Sequence, residues 1–83
     1  MGKVIIAFRI MPENPDSFSE VKAAVQSMDP ERVEEEAIAF GLKALKAIFI
    51  IPDAGGEQDS LENKLNAIPN VSTVETLKVT RSL

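Results

Sequence analysis

An α+β fold, with two helices on one face of a four-stranded antiparallel sheet, is predicted by three features of the sequence. Lys3 to Met11 reads with a period of two, its largest apolar residues Val4, Ile6, Phe8 and Ile10 falling on one face. Two segments, starting near Ser17 and near Asp59, switch to helical spacing. Between and after them lie further strand-like stretches, giving the order strand, helix, strand, strand, helix, strand.

In the first strand, Lys3 to Met11, Val4, Ile6, Phe8 and Ile10 share one face, and Ile5, Ala7 and Arg9 share the other. Pro12-Glu13-Asn14-Pro15 ends it, because both prolines and the asparagine favour turns. Ser17 followed by Glu20 predicts a capping box, and Phe18, Val21, Val25 and Met28 recur at helical spacing until Asp29-Pro30 stops the helix. Glu31 to Ala39 holds Glu34-Glu35-Glu36 and little apolar content before Ala37-Ile38. It reads as an edge strand whose acids discourage edge-to-edge aggregation.

Leu42 to Ile51 ends in Ile48-Phe49-Ile50-Ile51, an apolar run suited to a central strand. Pro52 to Gly56 is a loop by composition. Leu61, Leu65 and Ile68 mark a second helix, entered near Asp59 or Ser60 and stopped by Pro69-Asn70. Val71 to Arg81 is the last strand, with Val74, Leu77 and Val79 as its apolar residues. Right-handed crossovers then place the first and third strands centrally, with the last beside the first. This is the ferredoxin-like arrangement, which leaves the sheet face bearing Ile5 and Ala7 partly open. Many activities use it, so the fold alone decides nothing.

Eighty-three residues predict one domain, 1–83, burying only about 60% of the surface that the unfolded chain exposes. The chain has no cysteine and no histidine. Disulfides, serine–histidine and cysteine–histidine catalysis are thereby excluded, and most zinc and iron sites lose their usual ligands. Nine cations lie scattered among thirteen acids for a net charge of −4, which argues against direct nucleic-acid binding. The run from Ala47 to Pro52 is far too short to span a bilayer. Met1-Gly2-Lys3-Val4 enters a strand pattern at once with no leader, so a cytoplasmic domain is expected.

Ile38-Ala39-Phe40-Gly41-Leu42 places a bulky aromatic beside a turn glycine, where two strands should meet. A turn tip lies on the surface, so Phe40 either folds back on Ile38 or Leu42 or is buried by another molecule. Arg81 reads, on pattern alone, as a solvated strand-end charge. Lys43 and Lys46 read equally as edge charges or as partner contacts. Gly55-Gly56 beside Asp53 lacks the following Lys-Ser/Thr of a phosphate loop. The three consecutive glutamates lack the alternating oxygen ligands of a Ca²⁺ or Mg²⁺ loop.

Three stretches resemble archaeal translation elongation factor 1-beta, and are similar to the catalytic C-terminal domain of the eukaryotic factor. They are Val4-Ile5-Ile6-Ala7-Phe8-Arg9-Ile10-Met11-Pro12-Glu13, Glu35-Glu36-Ala37-Ile38-Ala39-Phe40-Gly41-Leu42, and Asn70-Val71-Ser72 through Val79-Thr80-Arg81. The likeness covers essentially the whole chain. It implies guanine nucleotide exchange on the GTPase elongation factor 1-alpha, without covalent chemistry, cofactor or metal of its own. It also implies that Phe40 matches an aromatic that inserts into the GTPase, with Gly41 and Lys43 beside it as partner-binding residues. Arg81 falls where the eukaryotic factor has a lysine aimed at the magnesium site. Here it is arginine, planar and bulkier than lysine, followed by Ser82 and Leu83.

Three other classes share the expected fold. An RNA-recognition domain needs aromatic pairs on the open face, where Ile5, Ala7, Ile48 and Ile50 are the nearest candidates and none is aromatic. A small-molecule regulatory domain needs a glycine-bearing loop after the first strand, where this chain has Pro12-Glu13-Asn14-Pro15. An acylphosphatase-like enzyme needs a phosphate-cradling loop there, and Arg9 lies within the strand with no glycine after it.

Overall fold

A computed structural model describes residues 2–39, 41–52 and 56–82, with the side chains of Ala39 and Ser82 excepted. The strands are β1 (Lys3–Pro12), β2 (Arg32–Ala39), β3 (Leu42–Pro52) and β4 (Val71–Ser82), and the helices are α1 (Phe18–Gln26) and α2 (Glu57–Asn66). The four strands form one antiparallel sheet in the order β2-β3-β1-β4, as the connections require.

The period-two pattern of β1 decides the core. Val4, Ile6, Phe8 and Ile10 are buried with Leu45, Ala47 and Phe49 of β3, their register partners or one row away. Val21 and Val25 of α1 and Leu65 of α2 complete this layer. Phe8 and Phe49 meet edge to face, with ring centroids 6.1 Å apart, an arrangement that the aromatic quadrupole favours. Among the described residues, the opposite face of the sheet carries no helix.

Two helix starts differ from expectation. Ser17 ends a short 3-10 turn, Pro15–Ser17, and makes no side-chain cap to α1. Its hydroxyl instead donates back to the Asn14 carbonyl at 3.0 Å, while Asn14 Oδ1 accepts from the Ser17 N–H. Proline at the first position of that turn makes Asn14 the cap, and Glu20 is left to accept from the Asn70 side chain at 3.1 Å. Helix α2 begins at Glu57 rather than at Asp59 or Ser60. Gly56 caps it from the left-handed region (φ 79°), and its carbonyl accepts from the Ser60 N–H. Glu57 and Asp59 then occupy the first turn, where carboxylates favourably meet the positive end of the helix dipole.

The last strand carries a bulge. Ala7 pairs with Lys78 but Phe8 pairs with Thr76, so Leu77 is an extra residue in the ladder. This explains why Val74, Leu77 and Val79 do not keep a period of two: Val74 and Val79 lie opposite the core residues Ile10 and Ile6. Leu77 instead lines the open face.

The glutamates of β2 alternate between faces, each with a cation. Glu34 pairs with Arg32 at 3.4 Å, Glu35 with Lys22 of α1 at 2.8 Å, and Glu36 with Arg9 at 2.9 Å. Arg9 stands on β1, one strand removed from β2, so its side chain must cross β3 to reach Glu36. Ala44 lies opposite Glu36 in the ladder and is fully buried although it is on the helix-free face, which fits a guanidinium passing over a small residue. The same guanidinium reaches Glu75 of β4 at 3.4 Å, so one arginine links both edge strands. Replacing Arg9 by methionine should lower unfolding stability by ~1 kcal/mol, read from the urea midpoint, because the groups are only partly shielded from water.

Glu35 also lies 3.5 Å from Lys43. The Lys22 hydrogen bond and charge hold its carboxyl below the ordinary glutamate value against an opposing desolvation, with a lesser contribution from Lys43. A carboxyl held lower in the folded state stabilises above its ordinary pKa, and that contribution disappears as pH falls through the lowered one. Glu35→Gln should therefore be less stable than wild type at neutral pH. The difference should close on acidification below the ordinary glutamate range, as followed by chemical denaturation at several pH values.

Candidate functional site

The hairpin between β2 and β3 forms one end of the molecule. Gly41 takes φ +80°, the region that side chains with a Cβ avoid, and an added Cβ there would meet nothing within 4 Å. The glycine is thus required by the turn and not by crowding. Gly41→Ala should destabilise by about 1 kcal/mol through backbone strain alone, with Gly41→Asn milder, by thermal or urea unfolding. A register shift between Ala37 and Ala39 leaves Ile38 out of the ladder.

Ile38 is 45% exposed and Leu42 38% exposed, so the two aliphatics flanking the turn face solvent. Phe40 itself lies outside the described residues. Lys43 sits 5.9 Å above the Phe18 ring, within cation–π range, as well as beside Glu35. It therefore joins the hairpin to α1, and a cleft of about 170 Å³ at this end is lined by Pro15, Phe18, Gly41 and Lys43.

Arg81 lies at the other end. It pairs with Val4 near the start of β1, and so projects on the helix-bearing side of the sheet. There it lines a cleft of about 150 Å³ with Ile51, Pro52 and the first turn of α2, including Glu57 and Asp59. These acids were not singled out from the sequence, since helix α2 was expected to begin later. Ile51 pairs with Val4 and hence shares Arg81's row, whereas the Gly41 turn precedes Leu42 at the far end of β3. Nine residues at a strand rise of ~3.3 Å set the two ends roughly 30 Å apart, within a molecule 42 Å long. The structure does not bring the hairpin and Arg81 into one pocket. It holds them apart on a common sheet.

Arg81 is a fixed cation and the hairpin offers aliphatic surface; together they can bind and displace charge. Among the described residues, no cluster of three or more metal-ligating side chains occurs, and no helix is long and apolar enough to cross a membrane.

The sequence profile of the EF-1 guanine nucleotide exchange domain matches residues 5–81. A relative from Methanoregula boonei named elongation factor 1-beta is 48% identical, over 96% of this chain and 98% of its own. Elongation factor 1-beta of Methanobrevibacter smithii is 43% identical, over 90% and 91% of the two chains. That of Methanothermobacter thermautotrophicus is 37% identical, over 98% of each. The chain therefore belongs to the EF-1 guanine nucleotide exchange domain family, and nucleotide exchange in translation elongation is its function.

Proposed function

We propose that the chain accelerates GDP release and GTP rebinding on elongation factor 1-alpha in the cytoplasm, by binding energy alone and without covalent catalysis. The observation that carries this reading is the placement of two different binding features at opposite ends of one sheet. Exposed Ile38 and Leu42 surround the Gly41 turn at one end, and Arg81 stands at the other. A platform of this length can engage two regions of a larger protein together. Among the described residues, the sheet between the ends is continuous.

In a GTPase, backbone donors and a Mg²⁺ ion hold the nucleotide phosphates. Arg81, presented to that ion, repels it and supplies part of the lost neutralising charge to the phosphates' surroundings. Phe40, between Ile38 and Leu42, acts as an apolar wedge, with Gly41 allowing the turn and Lys43 fixing its base on α1. The wedge displaces elements that complete the nucleotide pocket. A factor that binds the empty GTPase more tightly must weaken nucleotide binding by the same ratio. A coupling of ~3 kcal/mol corresponds to a roughly 150-fold weaker nucleotide. An excess of GTP over GDP then sets the direction of exchange.

The reciprocal effect provides the test. The complex with nucleotide-free elongation factor 1-alpha should dissociate when GDP and Mg²⁺ are added, as followed by sedimentation velocity. Equal affinity for the empty and the GDP–Mg²⁺-bound GTPase would remove the coupling on which exchange depends.

A further inference from the structure

The helix-free face of the sheet contains a groove of about 460 Å³ whose floor is Ile5, Ala7, Ile48 and Leu77 and whose sides carry Lys46 and Lys78. We infer that this groove docks an acidic, aliphatic protein segment, with carboxylates placed to meet the two lysines and branched side chains between them. The floor is apolar by construction: the β4 bulge inserts Leu77, an aliphatic residue, where regular pairing would have left only Lys78 opposite Ala7. Arg9 and Arg32 lie within ion-pair distance of Glu36, Glu75 and Glu34, whereas Lys46, although opposite Glu34 in the ladder, and Lys78 make no ion pair among the described residues.

Three other occupants fit less well. A second copy packed face to face would bring four such lysines together around an apolar contact, at a cost in repulsion and desolvation. A nucleic acid would find no aromatic ring in the groove to stack a base. A small anion would leave the aliphatic floor unused.

The register sets a spacing for the segment. Lys46 pairs with Arg9 and Lys78 with Ala7, on opposite sides of β1 and two residues apart along it. Two strand widths of ~4.8 Å and a ~6.6 Å offset separate their backbones by roughly 12 Å. Carboxylates at positions i and i+7 of a helix, ~10.5 Å apart, match that distance and leave i+3 and i+4 for leucines over the floor.

The probe is a capped synthetic helical peptide with Glu at i and i+7 and Leu at i+3 and i+4, titrated into the ¹⁵N-labelled full chain. Amide shifts should concentrate at Ile5, Ala7, Ile48 and Leu77, and a peptide with Lys at both Glu positions should bind at least ~10-fold more weakly. The double variant Lys46→Glu, Lys78→Glu should reverse this preference. A reversed preference cannot arise from a misfolded variant, so it separates docking from structural damage. The inference is overturned if the shifts lie elsewhere or if both peptides bind equally. It is also overturned if the same shifts appear on raising the protein's own concentration or on adding a single-stranded oligonucleotide. None of these outcomes depends on Arg81, Phe40 or nucleotide exchange.

Discussion

Arg81→Ala should slow GDP release from elongation factor 1-alpha by at least about tenfold, while changing the affinity of the complex by less than about threefold. The reasoning starts from the register. Arg81 pairs with Val4 at the end of the sheet and is exposed, so its backbone is held by the ladder while its side chain lines the cleft beside the first turn of α2. Removing an exposed side chain from such a position costs little folding stability. On the proposed mechanism, the loss should therefore fall on the interaction with the GTPase's metal site, where charge matters more than contact area. Since binding couplings are typically 1–3 kcal/mol, losing the group that transmits one is worth about 5- to 150-fold. Arg81→Lys should retain most of the exchange rate, because a compact ammonium supplies the same charge, whereas Arg81→Gln should resemble alanine. Stopped-flow release of a fluorescent GDP measures the rate and equilibrium titration the affinity. Unchanged exchange in Arg81→Ala would make the residue a solvated strand-end charge.

Phe40→Ala should do the opposite, weakening the complex by ~2 kcal/mol, about thirtyfold in Kd, with little change in the stability of the free chain. Its neighbours support this expectation: Ile38 is displaced from the ladder and Leu42 faces solvent, so the turn presents aliphatic surface outward. An aromatic anchored in a partner's pocket and ringed by such residues has the anatomy of an interface hot spot. Loss of free-chain stability with normal residual binding would instead place Phe40 in the core. Because the two ends are roughly 30 Å apart along the sheet, their effects on affinity should add within about 0.5 kcal/mol in the double variant.

Much of the fold was legible because local and long-range signals agree. The alternation of Val4, Ile6, Phe8 and Ile10 predicts both a strand and its buried face, and all four are buried. The acidic edge was also legible as a strand, although not the partners of its acids. Arg9 meets Glu36 and Glu75 across 27 and 66 residues of sequence, a relation that no local pattern contains. The errors were local ones. Ser17 and Glu20 have capping-box spacing, but Pro15 moved the first turn upstream and made Asn14 the cap. Gly56 can adopt a positive φ, and so capped α2 without a side chain, three residues before the first expected cap. Leu77 breaks the period of its strand, and that irregularity was the sign of the bulge. At the candidate site, the roles proposed for Phe40 and Arg81 rest on the family resemblance. The sequence pattern alone favoured a surface staple and an ordinary charge. What the structure adds is the long separation between the two ends, set by strand order and register.

Release of labelled GDP from cognate elongation factor 1-alpha, with and without this chain, tests the central claim most directly. Substoichiometric amounts should accelerate release at least about tenfold, since the factor is not consumed and acts through coupling. An unchanged release rate at stoichiometric amounts of folded protein would contradict the account.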